Sequence, residues 1–137
     1  MWELWDYLNE RGENEIAEWT RRLQKPQRTK LRSKLDMLAQ AGPDLPPGLL
    51  MKTEVEYIYK LKVQGNPKLR PMLCFGPMGL RDTRTGKEII ERAFTLLVGA
   101  KEIQWEFEPA NADTKAGERR KELLANPARR CKHERII

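Results

Sequence analysis

Apolar residues recur at helical spacing in two stretches near the start of the chain. Ile16, Ala17, Thr20 and Leu23, with Trp19 beside them, predict a helix over residues 13–24 whose acids come first and whose Arg21 and Arg22 come last, the order the helix dipole favours. Pro26 should stop it. A second helix is expected over 27–40, with Leu31, Leu35, Leu38 and Ala39 on one face and Arg28, Lys30, Arg32 and Lys34 turned away, ending at Gly42 and Pro43. The two form a helical hairpin whose apolar stripe must be buried against another layer.

The next segments supply that layer. After a loop at 42–48 that holds three prolines, residues 55–63 are rich in β-branched and aromatic types and predict a strand. Its two-residue period puts Tyr57, Tyr59, Leu61 and Val63 on one face and Ile58, Lys60 and Lys62 on the other. Gly65, Asn66 and Pro67 form a turn, and 69–75 returns antiparallel, with Pro71 requiring an edge or a bulge. A long polar connection containing Arg81, Asp82 and Arg84 is expected over 76–86, and 93–98 reads as a buried strand ending at Gly99. Residues 111–125 predict a third helix, broken by Asn126 and Pro127. Residues 1–12, where Trp2 and Leu4 stand against Trp5 and Tyr7, fit either a short strand or a helical turn. The expectation is an α+β domain: a small antiparallel sheet packed against an N-terminal helical hairpin, with a C-terminal helix.

Length agrees with one domain over residues 1–137, carrying a basic C-terminal tail at 126–137. The mean hydropathy of -0.73 and the lack of a long apolar run argue against a membrane span, and the first residues show no basic stretch followed by an apolar one. Cys74 and Cys131 make no disulfide framework, and with His133 the sole histidine no metal-binding spacing exists. A cytoplasmic protein with no metal and no cofactor is expected.

Charge adds a partner class. The formal net charge is +6, and residues 115–137 hold eight Lys/Arg against three Asp/Glu, so most of the excess is C-terminal. Residues 21–34 carry seven basic residues and no acid, and residues 57–70 carry Lys60, Lys62, Lys68 and Arg70 with no acid. Such segregation favours a polyanion, RNA, DNA or a strongly acidic protein, over a neutral metabolite. Gly76, Gly79 and Gly86 lack the spacing of a phosphate loop, and no nucleophile elbow is present. What remains is a basic sheet face. Lys60 and Lys62 share a side of one strand, Arg70 lies on its returning partner, and Lys101 falls just past the end of the apolar strand.

The string IYKLKVQGNPKLRPMLCF at 58–75, followed by AFTLLVGAKE at 93–102, resembles the central sheet of the RelE/HigB toxins of bacterial toxin-antitoxin systems, particularly their phage-derived branch. The basic helical hairpin before it and the late helix with Ala116, Glu118 and Arg119 fall in that family's order, so the resemblance covers roughly residues 2–124. It implies a RelE-like, microbial-ribonuclease-like fold, with residues 2–7 as a strand. It also implies a metal-independent endoribonuclease that cleaves mRNA, usually on the ribosome, and is inhibited by a cognate antitoxin with a helix-turn-helix DNA-binding element.

By that resemblance Lys60 and Lys62 would bind the scissile phosphate, Arg70 would clamp it, and Lys101 would add a basic group after the last strand. His133 would stand in for the C-terminal tyrosine or histidine that moves the proton. Cleavage through the 2′-hydroxyl passes through a crowded, doubly charged phosphorane, which clustered cations stabilise. Lys68, Arg129, Arg130, Lys132 and Arg135 would contact the RNA backbone. The chain departs from the family in having no tyrosine after Tyr59, and in having Trp105 and Phe107 alternate with Glu106 and Glu108 where a lysine pair is usual. Sheet-edge packing is expected for Trp105 and Phe107. These departures keep two other readings open, a catalytically inactive RNA- or ribosome-binding relative and a ParE-like gyrase inhibitor.

Overall fold

The computed structural model describes residues 1–81 and 83–135. It is α+β, with three α-helices and eleven strands in mixed sheets among those residues. In chain order the elements are β1 (Glu3–Tyr7), α1 (Glu15–Arg22), α2 (Lys25–Ala41), β2 (Leu50–Lys52), β3 (Tyr59–Leu61), β4 (Lys68–Leu69) and β5 (Met72–Phe75). There follow β6 (Gly79–Arg81), β7 (Glu88–Ile90), β8 (Ala93–Val98), β9 (Lys101–Ile103), β10 (Glu106–Glu108), α3 (Ala112–Ala125) and β11 (Arg130–Lys132). No helix among the described residues is long and apolar enough to cross a membrane.

Both N-terminal helices form where the apolar period puts them. Asn14 caps α1, its side chain accepting from the Ala17 N–H at 2.9 Å. Pro26 opens α2 from within its first turn instead of only closing α1, because its missing N–H is one that no helix start can use. Leu31, Leu35 and Leu38 of α2 join Ile16 and Leu23 against Leu61, Val63, Leu69, Leu73, Phe94 and Leu96 of the sheet.

The main sheet has the order β11-β1-β8-β5-β3-β2, and it is mixed where an all-antiparallel sheet was expected. β1 runs parallel to β8, pairing Glu3 with Ala93 through Asp6 with Leu96, a long-range match that no local pattern carries. β8 lies inside the sheet and buries all six of its residues, because helices cover both faces. The hairpin of α1 and α2 covers one. α3 covers the other, where Ala112 and Ala116 pack with Ile58, Met72, Cys74 and Leu97. Gly117 lets α3 sit directly on the 53–58 loop: a Cβ there would lie 2.8 Å from Val55 Cγ1.

Other differences have local causes. The strand expected over 55–63 shortens to β3 because 53–58 closes into a loop, with the Thr53 N–H donating to Ile58 O at 2.9 Å and Tyr57 at φ 68°. That loop joins β3 to β2, which hydrophobic alternation did not reveal. Pro71 divides β4 from β5, and the register of β5 on β8 shifts between Met72 and Leu73, as a bulge would require. The connection at 76–86 contains β6, which pairs with β7; Asp82 lies outside the described residues. Residues 130–132 of the tail form β11 on the edge of β1, and residues 136–137 lie outside the described residues.

Candidate functional site

β3 and β4 carry the lysine face. Lys60 stands opposite Met72, whose side chain packs on the α3 side of the sheet, and directly opposed residues of an antiparallel pair share a face. Strand pairing continues through the Lys62 N–H to Leu49 O at 2.8 Å and the Val63–Leu69 bridge, so Lys62 points the same way as Lys60. Lys68 opposes Glu102, and Glu102 opposes Phe107, on the corresponding face of a small sheet of order β10-β9-β4. The two sheets meet there. The Lys60 amine lies 5.3 Å from the Phe107 ring centroid, and the Lys68 amine 5.7 Å from that of Trp105. None of Lys60, Lys62 and Lys68 has an ion-pair partner among the described residues. Unneutralised amines on one surface favour a polyanion.

Arg70 does not join them at the surface. It is 2% exposed, with Nη1 donating to Leu69 O at 2.8 Å and to Val63 O at 3.4 Å, and Nη2 at 3.5 Å from Glu102 Oε2. Burial pushes its pKa below the ordinary arginine value, and Glu102 offsets part of that. The break at Pro71 turns β4 away from β5, and Arg70 fills the inside of the bend, tied to Ala100 O through its own N–H at 2.8 Å. The expected phosphate clamp is therefore a structural cation in this conformation. Its Nε is buried without a partner.

Lys101 also departs from expectation. It stands opposite Leu69 and Glu108, and Leu69 packs into the core under α1 and α2. Lys101 thus projects from the far face of the sheet, because β9 begins one residue after Ala100, which packs on the α3 side.

His133 lies at the opposite edge. It follows β11, four strand spacings from β3, or about 19 Å at roughly 4.8 Å per strand. Its Nδ1 is 2.8 Å from Asp6 Oδ1, and Asp6, 1% exposed, also accepts from Asn14 Nδ2 at 2.9 Å. This histidine cannot pass a proton to a phosphate held at Lys60 and Lys62; it fastens β11 to β1 and α1.

The tail is likewise held against the body. Arg129 pairs with Glu122 at 3.3 Å, Arg130 with Glu91, Lys132 with Glu3 at 2.7 Å, and Arg135 with Asp36 at 2.6 Å. The four tail residues expected to lie along RNA are each matched to an acid outside the tail, whereas Lys68 is not among the described residues. The net charge of the segment overstated its free charge, since Glu3, Asp36 and Glu91, distant in sequence, return to it in space and Glu122 of the preceding helix pairs with Arg129.

Trp105 was missed as an exposed group. It is 91% exposed at the tip of the β9–β10 hairpin, whereas Phe107 is half-buried against the α3-side core, so only Phe107 packs as expected. Tyr57 is also exposed, with the Arg120 guanidinium 4.1 Å above its ring. Alternation in the string Trp105 to Glu108 hinted at a strand, but nothing local marked the turn. Among the described residues no group of three or more His, Cys, Asp or Glu side chains is placed to hold a metal ion. Compared with known proteins, the chain matches no family model, no curated protein and no solved structure.

Proposed function

We propose that this protein is a RelE/HigB-like toxin, a metal-independent endoribonuclease that cleaves mRNA on the ribosome and is held in check by a cognate antitoxin. The observation that supports it is the set of unpaired amines on one sheet face, with Lys60 and Lys62 two residues apart beside Lys68. A phosphodiester seated between Lys60 and Lys62 would have its developing charge balanced as the 2′-oxygen attacks phosphorus and the bond to the 5′-oxygen breaks. An ammonium group protonates the departing 5′-oxygen, and the proton of the 2′-hydroxyl passes to water. Arg70, one layer beneath, adds positive potential without touching the phosphate.

Purified protein should cut ribosome-bound mRNA, and Lys60→Ala with Lys62→Ala should abolish cutting while the variant stays folded. Full cleavage by the double variant would refute the site.

Two observations favour a second reading, RNA or ribosome binding without cleavage: Arg70 is buried, and His133 sits at the far edge of the sheet. In that case wild-type protein binds RNA with an affinity that falls steeply with salt and leaves no products.

A further inference from the structure

We propose that Trp105 is a stacking platform for one unpaired RNA base next to the lysine face. This rests on the RNA reading above and extends it to a single-stranded substrate held at a defined point. The other tryptophans have structural neighbours: Trp2 and Trp19 pack on the core, and Trp5 lies under Arg130 and Lys132. Among the described residues, Trp105 has only the Lys68 amine over its ring.

The backbone holds it there at a cost. Gln104 and Trp105 are the two central residues of the hairpin turn, with φ of 51° and 71°. This left-handed turn normally takes Asn-Gly, since a side chain there is disfavoured, and a bulky aromatic most of all. A tryptophan that buries nothing in such a position is a misfit for folding and fits a group that waits for a ligand.

A cavity of about 400 Å³ opens between this tip and the Gly65 turn, lined by Asn66, Pro67, Lys68, Ile103, Gln104 and Trp105. Lys68 stands on one wall, and the Lys30 amine of α2 lies beside Gly65 at its rim. Glu102 also borders the cavity, on the side where it faces Arg70. A flat aromatic surface flanked by amines matches a nucleotide, the base on the indole and its phosphate on lysine. Exposed apolar side chains here are Trp105 and Ile103, too few for a protein interface of about 800 Å² per partner.

The test is fluorescence anisotropy with a labelled single-stranded RNA, intact or carrying abasic sites, on wild type, Trp105→Ala, Trp105→Phe and Lys68→Ala. One stacked base contributes about 1 to 3 kcal/mol, so Trp105→Ala should weaken intact RNA by about 5- to 150-fold. Trp105→Phe should keep most of the affinity, and Lys68→Ala should reduce the salt dependence. Abasic RNA should bind wild type and Trp105→Ala equally. Unchanged affinity of Trp105→Ala for intact RNA, or an equal loss on abasic RNA, overturns the stacking role and leaves the RNA reading standing. Failure of the wild type to bind any RNA overturns the functional reading and this inference together. Unchanged RNA affinity with loss of a protein partner assigns the tip to protein contact and overturns the inference.

Discussion

Replacing Gln104 and Trp105 by Asn and Gly should make the protein more stable while removing its proposed base platform. Both native residues sit in the left-handed region, at φ 51° and 71°, where a non-glycine residue costs about 1 to 2 kcal/mol. Against that gain stands the loss of the Lys68 contact at 5.7 Å, near the outer limit for a cation over a ring and contributing about 0.5 kcal/mol. The extra freedom of glycine in the unfolded chain subtracts about 0.5 to 1 kcal/mol more. Asparagine tolerates the left-handed region well, so the pair together should gain roughly 1 kcal/mol, or about 3 to 5 °C in melting temperature at this chain length. Differential scanning calorimetry reads the change directly, and RNA anisotropy on the same sample should show the affinity falling as the stability rises. A lower melting temperature would refute the reasoning, because Trp105 would then be supporting the fold.

Three further outcomes follow from the packing. Arg70→Ala should cost about 2 to 4 kcal/mol in urea unfolding, since it leaves two buried carbonyls and Glu102 without their cation, whereas Lys60→Ala should cost less than about 0.5 kcal/mol; equal effects would contradict the burial of Arg70. Burial, then the hydrogen bond to Glu122, pushes the Tyr7 hydroxyl up to about 12. The unfolded chain loses that proton near 10 and the folded chain only near 12, so Tyr7 stabilises fully below pH 10 and this contribution fades between about pH 10 and 12. Tyr7→Phe should flatten the alkaline decline of the melting temperature, and a decline as steep as wild type would show that Tyr7 does not cause it. His133→Ala should loosen β11, increasing amide exchange at Lys132 and Cys131, yet leave RNA cleavage per folded molecule unchanged; loss of cleavage with unaltered exchange would restore His133 to the chemistry.

The helices were legible because their information is local. Leu31, Leu35 and Leu38 state the buried face of α2, and Asn14 caps α1. The interior strand β8 was equally plain from a run apolar except for Thr95 and bounded by Gly99. What the pattern could not carry was long-range pairing. That β1 lies parallel to β8 decides which edge β11 takes, and so places His133 four strands from Lys60. Short strands escaped for a related reason: β2, β6 and β7 have three residues each, too few for a period to show. At the candidate site, the two-residue period placed Lys60 and Lys62 on one side correctly. Arg70 was misjudged because its side chain turns inward to the Leu69 and Val63 carbonyls and Glu102, partners that the strand pattern does not show. Lys101 was misjudged because the register of β8 on β5 shifts at Leu97, between the pairs Leu73–Leu96 and Met72–Val98, which inverts the side that the following residues face. The tail misled through net charge alone, since Glu3, Asp36 and Glu91 come to it from elsewhere in the chain and Glu122 of α3 pairs with Arg129.

RNA cleavage at the lysine face is the central proposal, and its most direct test is in the cell. Regulated expression in a bacterium, followed by mapping of mRNA 5′ ends, compares wild type with the Lys60→Ala, Lys62→Ala double variant. Wild type should arrest growth and create new 5′ ends inside coding regions, and the double variant, equally abundant and folded, should do neither. New ends that persist in the double variant, or a wild type that creates none, would contradict it.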